Sequence, residues 1–71
     1  ENININLKGD INSPVLVSIY NLQGKEISQL KFDAHSPVIQ NIQNLNSGIY
    51  LIRVKNAVTN KLYGESKFLK N

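Results

Sequence analysis

The chain of 71 residues contains no cysteine, methionine or tryptophan, and it has a single histidine, His35. Without cysteine there is no disulfide framework and no thiolate metal site, and one histidine excludes a histidine-rich metal cluster. We therefore predict no metal and no cofactor. No apolar run approaches the roughly 20 residues that span a bilayer as a helix, so we also predict no transmembrane segment. The sequence does not begin with methionine and shows no signal peptide, so we expect it to be a fragment of a longer protein.

The residues that are present fit a small folded domain. Hydrophobic residues make up 41% of the chain and charged residues 18%, a balance typical of globular proteins. At this length we expect one domain over residues 1–71, and folding can bury only about 60% of the surface of the unfolded chain. The net charge of +3 is uneven. Residues 50–71 hold most of the basic side chains against the single acid Glu65, namely Arg53, Lys55, Lys61, Lys67 and Lys70.

Apolar and polar residues alternate over most of the chain, which is the pattern of half-buried β-strands. Ile3, Ile5 and Leu7 predict a first strand. The denser apolar run over residues 15–20 predicts a central strand. The clearest strand covers residues 49–55, and its predicted core face carries Tyr50, Ile52 and Val54.

The segments between these strands predict turns and irregularities. Residues 21–24 read Asn-Leu-Gln-Gly, which suits a type I turn in a bulged hairpin. The different parity of Ile27 and Leu30 predicts a bulge or a register shift between them. Residues 38–42 predict a short strand, followed by a compact turn that places Leu45 in the core. For Gly48 we predict a positive φ, because a turn before a strand often requires one.

The last predicted strand covers residues 61–70. A regular alternation there would place Leu62 and Phe68 on one face and Tyr63 and Leu69 on the other. With this strand the chain has six or seven short strands, turns every 8–12 residues and no convincing helix. We therefore predict an all-β fold, a small antiparallel β-sandwich that is Ig-like, with about seven short strands. An open barrel is the second choice.

Few residues suggest chemistry. His35 lies beside Asp33 and Ser36, but adjacency in one loop is no sign that the three side chains converge, so we interpret His35 as a solvated loop residue. A calcium site at Asp10 would need more carboxylates than the sequence supplies nearby. None of the common nucleophile, phosphate-loop or zinc motifs is present. We predict that the chain is not an enzyme and has no catalytic residue.

Two kinds of ligand deserve consideration. The basic last third contains aromatic residues, which can form a stacking platform for nucleic acid. The parity of Tyr50 and Phe68 favours the core instead, so we expect no nucleic-acid partner. Carbohydrate binding is a better alternative, because Tyr20 and Tyr63 are placed where they could face solvent.

Three segments in this order carry a resemblance to a known family: residues 17–27, which read VSIYNLQGKEI, residues 42–54, which read IQNLNSGIYLIRV, and residues 66–71, which read SKFLKN. Together they resemble the C-terminal sorting domain (type A) of proteins exported by the bacterial type IX secretion system, also called the Por secretion system. The family has a hairpin of the form v-x-iyn-x-x-G, then a strand with L-x-x-G-x-Y, and a terminal K-F-[VL]-K element. The resemblance extends from about Ile3 to Lys70.

The resemblance implies a function and a set of residues. It implies that the chain is the C-terminal sorting domain of an exported protein, attached to an N-terminal cargo domain. The partners would be the type IX translocon and a sortase-like peptidase that usually removes the domain by a cut upstream of it. The cargo would pass through the periplasm and end at the outer-membrane surface or outside the cell. By match to the family motifs, the residues implied in translocon recognition are Gly48, Tyr50, Lys67, Phe68, Leu69 and Lys70.

The residues themselves suggest which of these positions serve folding and which serve recognition. Gly48 and Tyr50 have reasons to be present for folding alone, whereas a terminal edge strand offers unpaired backbone groups that a partner can extend. The alternative function is an Ig-like accessory module that binds carbohydrate or spaces domains.

Overall fold

The computed structural model describes residues 2–7 and 12–71, and within them it contains β-strands and no helix. The six strands are β1 (Asn2–Ile5), β2 (Val15–Tyr20), β3 (Glu26–Phe32), β4 (Val38–Asn41), β5 (Gly48–Asn56) and β6 (Leu62–Lys70). Asp10, the calcium candidate, lies outside the described residues. The prediction of an all-β chain is confirmed.

The strands form two antiparallel sheets. The larger sheet has the order β3-β2-β5-β6, and β1 pairs with β4 in the smaller one. Two hairpins, β2–β3 and β5–β6, build the larger sheet because β2 and β5 pair along their whole common length, from Val15 opposite Asn56 to Tyr20 opposite Leu51. The dense apolar run of β2 is therefore central, as predicted. Strands β3 and β6 form the two edges.

The core lies between the sheets and is built by alternation. From β2 come Val15, Val17 and Ile19, all 0–2% exposed. From β5 come the predicted residues Tyr50, Ile52 and Val54, all 6–7% exposed. Each fully buried aliphatic side chain stabilises the fold by about 1.5–3 kcal/mol relative to an exposed one. The core face predicted for β5 is confirmed.

The smaller sheet covers this core with Ile3 and Ile5 from β1 and Val38 from β4. After β4 the chain makes the expected compact turn, in which the amide of Leu45 donates to the carbonyl of Ile42 at 3.1 Å. Ile42 is buried and Leu45 is half-buried against the core. The prediction of a short strand followed by a turn that brings Leu45 inward is confirmed, and the two packed sheets are those of a β-sandwich with six described strands.

The β2–β3 hairpin turns at Asn21, as its sequence predicts. The amide of Gly24 donates to the carbonyl of Asn21 at 3.0 Å, and Gly24 has a φ of 84°. The side-chain oxygen of Asn21 accepts from the amides of Gln23 and Lys25 at 3.0 and 2.9 Å. Beyond the turn, Glu26 pairs with Tyr20 and Ser28 with Ile19, so the expected bulge lies at Ile27.

A second bulge corrects one prediction. Val54 pairs with Gly64, whereas Lys55 pairs with Leu62, so the extra residue Tyr63 interrupts the alternation in β6. Tyr63 packs against the core on the same side as Phe68, and Leu62 is 50% exposed. The expectation that Leu62 and Phe68 share a face is wrong, because one extra residue reverses the face of every side chain that precedes it.

The loop between β5 and β6 depends on a buried asparagine. Asn56 is 8% exposed. Its side-chain oxygen accepts from the amides of Val58 and Thr59 at 2.8 and 3.0 Å, and its side-chain nitrogen donates to the Tyr63 hydroxyl at 2.9 Å. The same loop ends at Asn60, which has a φ of 64°. Asparagine serves both tasks because its short amide bonds to nearby backbone and tolerates the left-handed region.

Candidate recognition site

The terminal residues lie on β6, an edge strand of the larger sheet. On one side β6 pairs with β5, from Gly48 opposite Lys70 to Lys55 opposite Leu62. On its other side, no strand among residues 2–7 and 12–71 pairs with it. A free edge presents unpaired backbone donors and acceptors to a partner. The terminal element is therefore placed where an extended partner segment can add to the sheet.

The strand separates its terminal side chains by face. Phe68 lies on the core side, half-buried, and its ring stacks on that of Tyr50 with centroids 5.5 Å apart and planes at 23°. Leu69 points to the other face and is 63% exposed, opposite Ile49, which is 44% exposed. Phe68 thus contributes to folding, whereas Leu69 and Ile49 form an apolar pair at the surface.

The two lysines of the terminal element also differ in position. Lys67 pairs with Leu51 on the outer face, and its side chain is exposed. Its ammonium group has no hydrogen-bond or ion-pair partner among the described residues. Lys70 pairs with Gly48 and is half-buried, on the same side of the strand as Phe68. Of the two, Lys67 is the lysine presented on the outer face.

Gly48 and Tyr50 lie at the start of β5. Gly48 has a φ of 153°, so the predicted positive φ is confirmed. Tyr50 is 7% exposed, and its hydroxyl donates to the carbonyl of Asn46 at 2.7 Å. Tyr50 thus ties the turn before β5 to the core and supports the ring of Phe68. These contacts give both residues a role in holding β6 in place.

The outer face also carries a charged and aromatic group that the sequence analysis missed. Arg53 Nε donates to Glu65 Oε2 at 3.0 Å, and the Arg53 guanidinium carbon lies 5.4 Å from the centre of the Tyr20 ring. Arg53 and Glu65 are partners across β5 and β6. The three residues are far apart in sequence, and only the strand register brings them together. Finding them requires the register of β2 with β5 and of β5 with β6, which no local pattern in the sequence indicates.

An open groove runs beside β6 on the core side. It has a volume of about 350 Å³ and lies between β1 and β6, with Ile3, Ile5, Tyr63 and Phe68 among its walls. Because the side chains lining it are mostly apolar, the groove can accept apolar side chains of a segment that lies along the edge of β6.

The residues considered for chemistry do not converge. His35 is exposed, and no hydrogen bond joins its ring to Asp33 or Ser36. Within the described part of the chain, no three histidine, aspartate or glutamate side chains come close enough together to hold a metal ion. No helix in residues 2–7 and 12–71 has the length and apolar character that crossing a membrane requires.

The carbohydrate alternative depended on exposed tyrosine rings. Tyr63 is half-buried against the core and its hydroxyl is occupied by Asn56. Tyr20 is half-buried on the outer face, with the Arg53 guanidinium beside its ring. Neither ring is a free flat platform for a sugar, so the geometry gives this alternative no support.

The described residues thus form a two-sheet β-domain whose accessible features are an edge strand and a mixed apolar and basic outer face. The class of protein that this defines is a small β-sandwich module. The comparison with known families agrees: the sequence matches the family described as secretion system C-terminal sorting domain over residues 1–67. The chain belongs to this family, the sorting domains of type IX secretion. It is a family of secretion signals rather than of enzymes, and such a signal implies export across the outer membrane.

The match ends at Lys67, so Phe68, Leu69 and Lys70 lie beyond it. Neither the curated proteins nor the solved structures gave a match to the sequence.

Proposed function

We propose that residues 1–71 form the C-terminal sorting domain of an exported cargo protein, and that the type IX translocon binds it in the periplasm through β6. The observation that carries this proposal is the family match over residues 1–67 together with the free edge and exposed face of β6. After transport, a sortase-like peptidase cuts upstream of residue 1. The cargo then reaches the outer-membrane surface or the surrounding medium.

Within this proposal the six residues carried over from the family have two kinds of task. Lys67 and Leu69 contact the translocon, because both are exposed on the outer face. Gly48, Tyr50 and Phe68 act by positioning, since they hold β5 and β6 together. Lys70 completes the terminal element of the strand, and its part in recognition rests on the family motif alone.

The test is an export assay in a bacterium with a working type IX system. A reporter with an ordinary periplasmic signal peptide is fused to residues 1–71, and its distribution between periplasm and medium is measured. Deleting residues 66–71 is a poor variant here, because it also removes Phe68 from its stack on Tyr50 and the end of β6 from its pairing with β5, so a loss of export would not separate recognition from folding.

A better pair of variants is Leu69→Asn and Leu62→Asn. Both leucines lie on β6, and Leu69 and Leu62 are 63% and 50% exposed. Neither change should therefore destabilise the domain by more than about 0.5 kcal/mol. We expect the unmodified fusion and the Leu62→Asn fusion to leave the cell and the Leu69→Asn fusion to remain in the periplasm. A folded but periplasmic unmodified fusion would contradict the sorting function. Equal export of all three would contradict recognition through the end of β6.

A further inference from the structure

A shallow cleft of about 410 Å³ lies at one end of the larger sheet. Its walls come from the β2–β3 turn, β5 and β6, and they include Tyr20, Leu22, Leu51, Arg53 and Lys67. The volume is within the range of about 300–1,000 Å³ that is usual for ligand pockets. Leu22 is 68% exposed at the rim, where an apolar side chain of a partner can cover it.

The register explains why these residues meet. Tyr20 pairs with Leu51 across β2 and β5, and Leu51 pairs with Lys67 across β5 and β6. The three side chains therefore form one row across the sheet, and Arg53 stands in the next row on the same face, opposite Glu65. All three sequence motifs meet at this cleft: the hairpin that ends in Gly24, the strand that begins at Gly48, and the terminal element that begins at Lys67.

The polar groups of the cleft favour an anion. Arg53 uses its Nε to bind Glu65, and the Tyr20 ring lies beside the guanidinium, so the group is held in one orientation. This leaves the two terminal nitrogens of the guanidinium to donate to a second carboxylate, in the planar geometry that arginine favours. The Lys67 ammonium, without a partner in the described part of the chain, adds a second positive charge at the same cleft.

The remaining charges limit what the anion can be. Glu65 offsets the charge of Arg53, and Glu26 pairs with Tyr20 from the β3 side, with its carboxylate bound to the Gln29 amide at 3.0 Å. A polyanion such as nucleic acid would meet these two carboxylates. A single carboxylate with apolar neighbours fits better, because Leu22 and Leu51 line the cleft and can contact those neighbours.

We propose that this cleft binds one aspartate or glutamate side chain, flanked by apolar residues, in an exposed segment of a protein of the secretion machinery. The inference rests on the proposed sorting function and names the chemistry of the segment that is recognised. Arg53 and Lys67 hold the carboxylate, and Leu22 and Leu51 contact the flanking apolar side chains.

A peptide titration tests the cleft directly. The probes are acetyl-Val-Leu-Asp-Leu-Val-amide and the same peptide with asparagine in place of aspartate, added to the ¹⁵N-labelled domain. We expect the aspartate peptide to shift the amide signals of Leu51 and Lys67 and the side-chain Nε–H signal of Arg53. The asparagine peptide should bind about threefold to fivefold more weakly, which is the upper part of the range for one exposed ion pair. Equal binding of the two peptides, or no binding of either, would overturn the proposal.

Matched variants show whether the cleft or only the overall charge is responsible. Lys67→Gln and Lys61→Gln each remove one positive charge, but Lys61 is not among the residues that line the cleft. We expect Lys67→Gln to weaken binding of the aspartate peptide about threefold and Lys61→Gln to leave it within about 1.5-fold. An equal loss in both variants would mean that binding depends on net charge, and the proposal that the cleft binds the peptide would be wrong.

The export assay separates this inference from the proposed function. If the unmodified fusion is exported and the Arg53→Gln fusion is exported equally well, the cleft has no part in sorting and the inference is overturned, while the sorting function stands. If the unmodified fusion stays in the periplasm, the sorting function fails and this inference, which rests on it, fails with it, even where the peptide binds. Reduced export of Arg53→Gln, with a thermal melt like that of the parent, supports both.

Discussion

Gly48 offers the sharpest test of the fold, because the cost of changing it can be assigned to one cause. Its φ of 153° lies in a region that residues with a side chain rarely adopt, and a residue forced into such a region costs about 1–3 kcal/mol. A Cβ added at Gly48 would find only Tyr50 Cε2 at 3.9 Å, an ordinary contact. The expected destabilisation of Gly48→Ala therefore comes from the backbone alone.

Gly64 provides the matched control. A Cβ added there meets no heavy atom within 4 Å, and Gly64 is not among the glycines with a positive φ. Gly64→Ala should leave stability unchanged or raise it by about 0.4–1 kcal/mol, since alanine restricts the unfolded chain. The two substitutions add the same methyl group to paired neighbouring strands, so φ is the main difference between them.

Thermal melts followed by circular dichroism measure the difference. In a domain of 60–100 residues, 1 kcal/mol corresponds to a change in Tm of about 4–8 °C. We expect Gly48→Ala to lower the Tm by roughly 5–20 °C and Gly64→Ala to leave it within about 5 °C of the parent or above it. A Gly48→Ala protein as stable as the parent, or a Gly64→Ala protein equally destabilised, would refute the argument from φ.

Three further predictions concern individual side chains, and for each the free energy of unfolding is measured by urea denaturation against the parent chain. Tyr50→Phe removes the 2.7 Å hydrogen bond to the Asn46 carbonyl and should lower that free energy by about 0.5–1.5 kcal/mol. An unchanged midpoint would show that water replaces the bond. Phe68→Ala should lower the free energy of unfolding by about 2–3 kcal/mol, because it removes a half-buried ring stacked on Tyr50. Leu69→Ala should lower it by less than about 0.5 kcal/mol, because Leu69 is exposed. Equal losses would contradict the placement of Phe68 and Leu69 on opposite faces of β6. Asn56→Ala should cost about 1–3 kcal/mol, because the buried amide makes three hydrogen bonds; a smaller loss than that of Tyr50→Phe would contradict its role in the loop.

The Arg53–Glu65 ion pair should matter little for stability. Its side chains are 40% and 44% exposed, and exposed pairs contribute about 0–1 kcal/mol. The pair matters instead for the orientation of the Arg53 guanidinium, because Glu65 binds its Nε and leaves its two terminal nitrogens available to the proposed carboxylate.

The register of β6 separates the side chains that fold the domain from those that the proposed recognition needs. Alternation places Phe68 inside and Lys67 and Leu69 outside, so three consecutive residues supply both a core contact and an exposed surface. A partner that reads the exposed side of β6 therefore recognises only a folded domain. This would suit a sorting signal, since an unfolded signal would present neither the edge nor the cleft.

The sequence alone determined the local features whose cause lies within a few residues. The alternation in β5 predicted its buried face, because successive side chains on a strand point to opposite sides, and the dense apolar run of β2 predicted a central strand. Asn21 and Gly24 predicted the hairpin turn, since one bonds the local backbone and the other accepts a positive φ. The order of motifs also carried the resemblance to the sorting domains.

Only the tertiary structure decided what depends on pairing between distant strands. The bulge at Tyr63 reverses the faces of the start of β6, and no local pattern distinguishes one extra residue from a regular strand. Arg53, Glu65 and Tyr20 meet because β2, β5 and β6 are neighbours in a particular register. The sequence contains the residues of the outer face but does not show that they are neighbours. Burial of the opposite face determines the strand pairing, and that pairing brings these residues into one cleft.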